Sequence, residues 1–126
     1  MLCASSGCSS PPKVTIDTLA PFTDPPLRFE SLGRNHVAVF TAPTSGWTVQ
    51  HDMTRRVFRV YEVFVTLRRP APGVPTAQVL SEHAVDTGVE SMHNAAVYAR
   101  VITGRDAPGE TPYRLAGEVV PNPPAR

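Results

Sequence analysis

The chain has 126 residues, of which 12 are basic and 11 acidic, and its formal net charge is +1. This length suits one domain with one hydrophobic core. The charge shows no block of one sign, which argues against a nucleic-acid-binding surface, because such a surface normally needs a concentrated basic patch. No run of about 18 apolar residues exists, so no membrane-spanning helix is predicted.

The N-terminal segment, residues 1–12, holds both cysteines of the chain, Cys3 and Cys8. The motif SSGCS at residues 5–9 resembles the end of a bacterial lipoprotein signal, in which a small residue precedes the lipidated cysteine and a polar tether follows. The resemblance implies an extracytoplasmic protein anchored to a membrane through lipid on Cys8, with residues 1–12 as a disordered tether or signal remnant. The apolar part of such a signal needs roughly 7 to 15 residues, and only Met1 to Ala4 precede the small residues. The alternatives are an ordinary flexible terminus and a Cys3–Cys8 disulfide.

Strand-sized segments bounded by turn residues follow in chain order. The 14 prolines and 8 glycines exceed the usual share, and turn signals recur about every 8 to 12 residues without a capped helix of normal length. The sequence therefore predicts an all-β fold over residues 13–120, an immunoglobulin-like antiparallel β-sandwich of roughly seven to nine short strands. A disordered tail is predicted at residues 121–126. The predicted strands are Val14–Leu19, Leu27–Leu32, His36–Phe40, Trp47–Asp52, Val57–Leu67, Ala77–Leu80, Ala84–Val89, Ala95–Thr103 and Tyr113–Val120.

The longest apolar run, VFRVYEVFVTL at residues 57–67, decides the fold class. Its residues are mostly β-branched, aromatic or apolar, and neither Gly nor Pro interrupts them, which is typical of a buried strand. A helix is disfavoured because β-branched side chains are stiff at χ1 and because the sequence RRP at residues 68–70 ends the run. Neither alternating face is purely apolar. We therefore expect a central strand covered on much of both sides, or a bulge near Arg59 to Glu62 that exchanges the faces.

The sequence APTSGWTV at residues 42–49 predicts a turn of defined shape. Pro43 fixes φ, and Gly46 supplies the positive φ that a tight chain reversal commonly needs. Thr44 and Ser45 can hydrogen-bond to the local backbone. The turn is therefore expected to be rigid before any partner binds.

Trp47 follows this turn directly, and two positions for its ring are open. Strand alternation places Trp47, Val49 and His51 on one face, which favours a core pair of Trp47 and Val49. The alternative is an aromatic side chain at the rim that projects outward and contributes strongly to an interface.

The turn resembles two known families. APTSGWTV is similar to the PTGGY-type turn of the C-terminal domain of the PrcB protease-complex-subunit family, and the likeness covers residues 36–90, through RPAPG at 69–73 and TAQVLS at 76–81. The sequence departs from that family where Ser45 replaces Gly or Thr, where Trp47 replaces Tyr, and where EHA at residues 82–84 replaces an aromatic residue. The turn also resembles the NPTTGY loop of chagasin-like inhibitors of cysteine proteases, which have an immunoglobulin-like sandwich, although the other loops of that family are not matched.

These resemblances imply a non-catalytic, extracytoplasmic protein-binding domain that docks on or inhibits a protease. The turn supplies one part of the implied binding surface, and the proline-rich loop at residues 70–75 supplies the other. The implied partner-binding residues are Pro43, Thr44, Ser45, Gly46, Trp47, Pro70, Pro72 and Gly73.

No catalytic or metal-binding motif is evident in the sequence. The spacing of the four histidines matches no zinc pattern, and no thiolate accompanies them. Asp52 beside His51, and Ser91 near His93, could be fragments of a catalytic triad, but neither a nucleophile elbow nor a Gly-rich phosphate loop is present. We therefore expect no enzymatic activity, no metal and no cofactor.

A second function remains open beside the binding module. The chain could be a structural or assembly domain of a cell-envelope complex without a protease, in which the turn only reverses the chain and exposed strand edges pair with partners. Both functions need a protein partner and no nucleic acid, and both reach a membrane only through lipid on Cys8.

Overall fold

The computed structural model describes residues 14–32, 34–107, 109 and 111–121. These residues contain eight strands and no helix, so they include no helix that could span a membrane. The N-terminal segment with Cys8 and residues 122–126 lie outside the described residues, and the expectations for them stay predictions. The strands are β1 (Ile16–Asp17), β2 (Leu27–Leu32), β3 (Asn35–Ala42), β4 (Thr48–Val57), β5 (Val60–Arg69), β6 (Ser81–Glu90), β7 (Asn94–Thr103) and β8 (Tyr113–Val119).

The strands form two sheets that pack face to face around one core. The five-stranded sheet has the order β1-β8-β7-β5-β4, and the three-stranded sheet has the order β2-β3-β6. Alternation along β6 is regular, since Val85, Thr87 and Val89 are buried while their neighbours face solvent. The structure is therefore an all-β sandwich with a continuous apolar interior. The buried core residues come from both sheets: Ala38, Phe40, Val85 and Val89 from one, and Val63, Val65, Leu67, Ala95, Val97 and Ala99 from the other.

Two strand pairs are parallel, so the sandwich is only partly antiparallel. β5 lies parallel to β7 and β1 lies parallel to β8, whereas the β2–β3, β3–β6, β4–β5 and β7–β8 pairs are antiparallel. β5 and β7 can be parallel neighbours because the chain crosses to β6 in the opposite sheet between them. The all-β class and the strand number are confirmed, whereas these pairings do not establish the immunoglobulin-like strand order.

The apolar run at residues 57–67 is not one strand, which corrects the sequence prediction. The chain reverses at Phe58 and Arg59, so that β4 extends through residues 53–56, which lie between two predicted strands, and β5 begins only at Val60. A polar strand is stable there because β4 is an edge strand whose side chains largely face solvent. β5 is covered on both faces from residue 63 to 67, as one alternative predicted. The register shifts among the described strands lie elsewhere, between His51 and Met53 in β4, between Asn35 and Val37 in β3 and between Val97 and Tyr98 in β7.

The segment Ala77–Leu80 is also not a strand, contrary to the prediction. All four of its residues are exposed, and no neighbouring strand pairs with them in the described part of the chain. The backbone N–H and C=O of Ala77 bond to Ser45 instead. The segment is therefore hydrogen-bonded to the turn at residues 43–47 and not to a strand.

The strand directions define two opposite ends of the sandwich. The turn end carries the connections at residues 43–47 and 70–80 and the connection from β7 to β8, together with the start of β1. The hairpin end carries the β4–β5 reversal at residues 58–59 and the β6–β7 connection at residues 91–93. Both proline-containing segments singled out in the sequence therefore lie at the same end.

Candidate functional site

Hydrogen bonds tie the turn at residues 43–47 to the segment that precedes β6. The Ser45 N–H donates to the Ala77 carbonyl over 3.1 Å, and the Ala77 N–H donates to Ser45 Oγ over 2.8 Å. The Ser81 hydroxyl donates to the Thr44 carbonyl over 2.9 Å. Reciprocal bonds of this kind satisfy backbone groups that a free loop would leave to water, so the turn is held in one shape.

Gly46 is required at its position for two reasons. Its φ is +88°, a conformation that residues with a side chain rarely adopt. A Cβ at this position would also lie 2.9 Å from Cγ of Pro70, which is too close for two carbon atoms. The turn and the proline-rich loop are therefore in direct contact at Gly46.

The ring of Trp47 belongs to the core and to the surface. It is half-buried and packs against the core, as does Val49, in agreement with strand alternation. Its Nε1–H donates to the Thr44 hydroxyl over 3.2 Å, and the Arg69 guanidinium carbon lies 5.8 Å from the ring centroid. The two positions considered for Trp47 are thus combined, since part of its ring also faces the cleft described next.

The turn and the proline-rich loop together line a cleft of about 410 Å³. Six of the eight residues implied as partner-binding line it, which brings together two segments that are more than twenty residues apart in the chain. Ser45 does not line it, and Gly46 lines an adjacent cleft of about 550 Å³ on the other side of Pro70. The lining residues of the first cleft are Asp24, Pro43, Thr44, Trp47, Arg69, Pro70, Ala71, Pro72, Gly73, Val74 and Thr76.

The fold adds residues that sequence reasoning missed. Arg69 and Val74 line both clefts, and Val74 is 53% exposed although it is apolar. Their place beside Pro70 and Gly73 in the sequence was a usable signal. Asp24 carried no such signal, because it comes from the loop between β1 and β2 and reaches the cleft only through the fold.

The outer face of the five-stranded sheet carries a separate polar network, towards the turn end. Asp52, which occupies the bulge of β4, accepts hydrogen bonds from the hydroxyls of Thr66 and Tyr113, the latter over 2.8 Å. The Arg100 Nε–H donates to Thr66 Oγ1 over 2.9 Å, and its guanidinium carbon lies 4.4 Å from the Tyr113 ring centroid. Burial, and then the hydrogen bond to the Asp52 carboxylate, raise the pKa of Tyr113 to about 12. Because every polar group here has a partner, the network stabilises the sheet and offers no free reactive group.

The triad fragments considered in the sequence do not assemble. His51 contacts the Thr54 hydroxyl through Nε2, whereas Asp52 takes part in the outer-face network, because consecutive residues of a strand point to opposite faces. Among the described residues, Ser91 forms no side-chain hydrogen bond with His93.

A different serine and histidine do meet, at the turn. Ser81 Oγ lies 3.0 Å from Nε2 of His83, but the Ser81 hydroxyl donates its proton to the Thr44 carbonyl. The His83 ring nitrogen is then the donor to Ser81 Oγ, so this pair is not arranged to activate a nucleophile. Within the part of the chain that the structure describes, no three His, Cys, Asp or Glu side chains are grouped so that they could hold a metal ion.

Comparison of the chain with protein-family models, with curated proteins and with solved structures finds no match. The PrcB-like and chagasin-like resemblances of the turn therefore stay predictions. The function proposed below rests on the geometry of the turn end.

Proposed function

We propose that this is a non-catalytic, extracytoplasmic protein-binding domain whose binding surface is the turn end. One observation carries the proposal: the turn at residues 43–47 and the loop at residues 70–76 converge on one cleft with apolar, aromatic and charged walls. Clefts lined by apolar groups with a few convergent polar groups are where proteins usually bind ligands. An aromatic residue and an arginine in contact, as Trp47 and Arg69 are, are typical of energetically important interface positions.

The rigidity of this surface supports binding with little loss of conformational entropy. The turn is held by its bonds to Ala77 and Ser81, and the loop is held by the Val74 N–H, which donates to the Ala71 carbonyl over 3.1 Å. Prolines at positions 43, 70 and 72 restrict φ further. A surface that is already ordered loses less conformational entropy on binding, so more of its interaction energy contributes to affinity.

A protease is the first partner to test, because the resemblance of the turn to PrcB-like domains and chagasin-like loops implies one. In that case the domain inhibits or docks by occlusion. The turn enters a cleft without presenting an extended strand in productive register, since residues 43–46 bend and only Thr48 onwards is extended.

The structural or assembly function is the second candidate, and one observation favours it. Several polar groups of the turn bond within the domain, and Trp47 packs against the core, so the turn has a structural reason to exist. Under this alternative the edge strand β4 is the surface that pairs with a partner.

Trp47 and Val74 provide the variants that separate the two functions. The Trp47→Ala protein should lose about 2 kcal/mol or more of partner binding, but it also loses core contacts. The Val74→Ser protein should lose about 1 kcal/mol of binding and keep its stability, because Val74 is 53% exposed. Val120→Ser is the matched control, since Val120 is 70% exposed and lies at the opposite end.

The measurement is affinity capture from envelope and secreted fractions with the full chain and these variants as baits, followed by calorimetric binding of the captured protein. We expect a protease that binds the wild type and Val120→Ser proteins equally and binds Val74→Ser and Trp47→Ala less tightly. If Trp47→Ala only lowers thermal stability and every variant binds the same envelope proteins equally, the turn end is not the binding surface.

A further inference from the structure

The cleft of about 550 Å³ at the turn end concentrates positive charge. Arg68, Arg69 and Arg105 line it, and none of the described residues that line it is acidic. Consecutive residues of a strand point to opposite faces, and the Arg69 guanidinium lies over the Trp47 ring, away from Arg68. Arg68 and Arg105 therefore supply the charge of this cleft. None of the ion pairs formed by the described residues involves either of these guanidinium groups. Like charges gathered in a concave site reinforce one another's potential, which attracts a compensating anion. We call this site the arginine cleft.

The walls of the arginine cleft are fixed before any ligand arrives. The Arg68 guanidinium donates through Nη1 to the carbonyls of Gly104 and Asp106, over 3.0 and 2.9 Å, which leaves its other donors available. The Gly104 N–H donates to the Arg69 carbonyl over 2.8 Å. These bonds join the end of β5 to the connection between β7 and β8, so the guanidinium of Arg68 is pre-positioned for an anion.

The remaining walls are apolar and point to the kind of anion. Pro70, Ala71 and Val74 line the same cleft, and Val74 is 53% exposed. A small inorganic anion would leave these groups in water, whereas a peptide can place a carboxylate on the arginines and an apolar side chain on Val74. Guanidinium groups match the geometry of carboxylates and bind them with two parallel hydrogen bonds.

We propose that the arginine cleft binds an acidic peptide segment of the protein partner, with a Glu or Asp carboxylate on Arg68 and Arg105 and a neighbouring apolar side chain on Val74. This inference rests on the proposed function of the turn end, and it names the chemistry of the partner. The arginine cleft thereby selects partners by charge, while the neighbouring cleft of about 410 Å³, which Trp47 lines, supplies apolar contact.

The test is a titration of the full-length, isotope-labelled protein followed by NMR. The probes are a blocked pentapeptide of alternating Leu and Glu, the same peptide with Gln in place of Glu, and inorganic phosphate. We expect saturable shifts of the arginine Nε–H signals and of backbone signals at residues 68–74 and 104–106 with the Glu peptide, and at least tenfold weaker binding of the Gln peptide.

Variants with the same change of charge locate the site. The double variant Arg68→Gln and Arg105→Gln should bind the Glu peptide roughly tenfold more weakly. The control is Arg34→Gln with Arg59→Gln, which removes two exposed arginines from the hairpin end and should leave the binding unchanged.

Several results would overturn the inference. They are the absence of saturable shifts, equal binding of the Glu and Gln peptides, equal losses in the two double variants, and a response to phosphate without a response to the peptide. If the inference fails while Val74→Ser still weakens the captured partner, the turn end binds proteins without selecting acidic ones. If Val74→Ser has no effect on any captured protein, the proposed function itself fails.

Discussion

The chain reverses direction at both ends of the sandwich, but it does so through different kinds of residues. At the turn end the chain reverses through residues whose backbone is restricted, and the reversing segments brace one another, as Gly46 against Pro70 and Ala77 against Ser45. At the hairpin end the chain reverses through Phe58 and Arg59, and Phe58 is 91% exposed with a φ of +56°. The turn end is concave and is held by contacts between its loops, whereas the hairpin end finishes in an exposed turn in which Phe58 has an unfavourable φ.

The difference is why we propose the turn end, and not the hairpin end, as the binding surface. Val120 and Met92 at the hairpin end are more exposed than Val74 at the turn end. The hollow beside Met92, of about 310 Å³, is lined by only four residues. At the turn end an apolar residue stands beside arginines, an aromatic ring and fixed backbone, and that combination can bind and select a partner.

The largest effect on stability should come from breaking the contact between the turn and the proline-rich loop. Gly46→Ala should destabilise the domain by about 3 kcal/mol, because the new Cβ meets Pro70 at 2.9 Å and because φ is +88°. Gly73→Ala is a matched control, since Gly73 has the same φ of +88° and nothing within 4 Å of an added Cβ. It should cost only about 1 kcal/mol.

Urea unfolding of both variants measures the difference. Equal losses of unfolding free energy would mean that the backbone conformation alone matters and that the turn is not braced against Pro70.

A smaller effect should come from the network that stiffens the sheet next to the turn end. Tyr113→Phe removes the hydrogen bond to Asp52 and should cost about 1 kcal/mol at neutral pH. The pKa of Tyr113 is raised to about 12 in the folded protein, above the ordinary value of 10. The folded state therefore holds this proton more tightly, so its stabilising contribution is complete below pH 10 and is lost as the pH rises towards 12.

The measurement is urea unfolding of the wild type and of Tyr113→Phe at a series of pH values from neutral to alkaline. The stability advantage of the wild type should shrink as the pH rises above 10. Tyr61→Phe is the control, because Tyr61 packs on His93 near the hairpin end and is not part of the network. A pH-independent difference for Tyr113→Phe would show that the Asp52 contact does not control its ionisation.

The sequence predicts the two ends unequally well, and the reason is physical. Pro and Gly restrict or permit particular φ values by their covalent structure, so the turn at residues 43–47 and the loop at residues 70–75 could be placed from composition alone. Their meeting in one cleft could not, because it depends on the antiparallel pairing of β4 with β5, which places Thr48 opposite Arg68. Arg105 carries no local signal either, since its sequence context is that of an ordinary surface charge until the fold places it beside Arg68.

The β4–β5 reversal was missed for the opposite reason. VFRV at residues 57–60 contains no residue that favours a turn, and β-branched and aromatic residues predict a continuous strand. The register of the flanking strands, with Val57 opposite Val60, forces the reversal onto Phe58 and Arg59. The pairing of β4 with β5 along their whole length outweighs the local preference of residues 57–60 for a continuous strand.

The last expected effect lies at this tip, and it should be a gain. Phe58→Asn should stabilise the domain by about 1 kcal/mol, because Asn tolerates a positive φ better than Phe does and the exposed ring has little packing to lose. Phe58→Ala is the matched control, since it removes the same ring but keeps a residue that disfavours positive φ, and it should change little. Both are measured as shifts of the urea midpoint at constant slope. A loss in both variants would mean that the Phe58 ring packs on the domain in solution, and the contrast between a braced end and a strained end would then not hold.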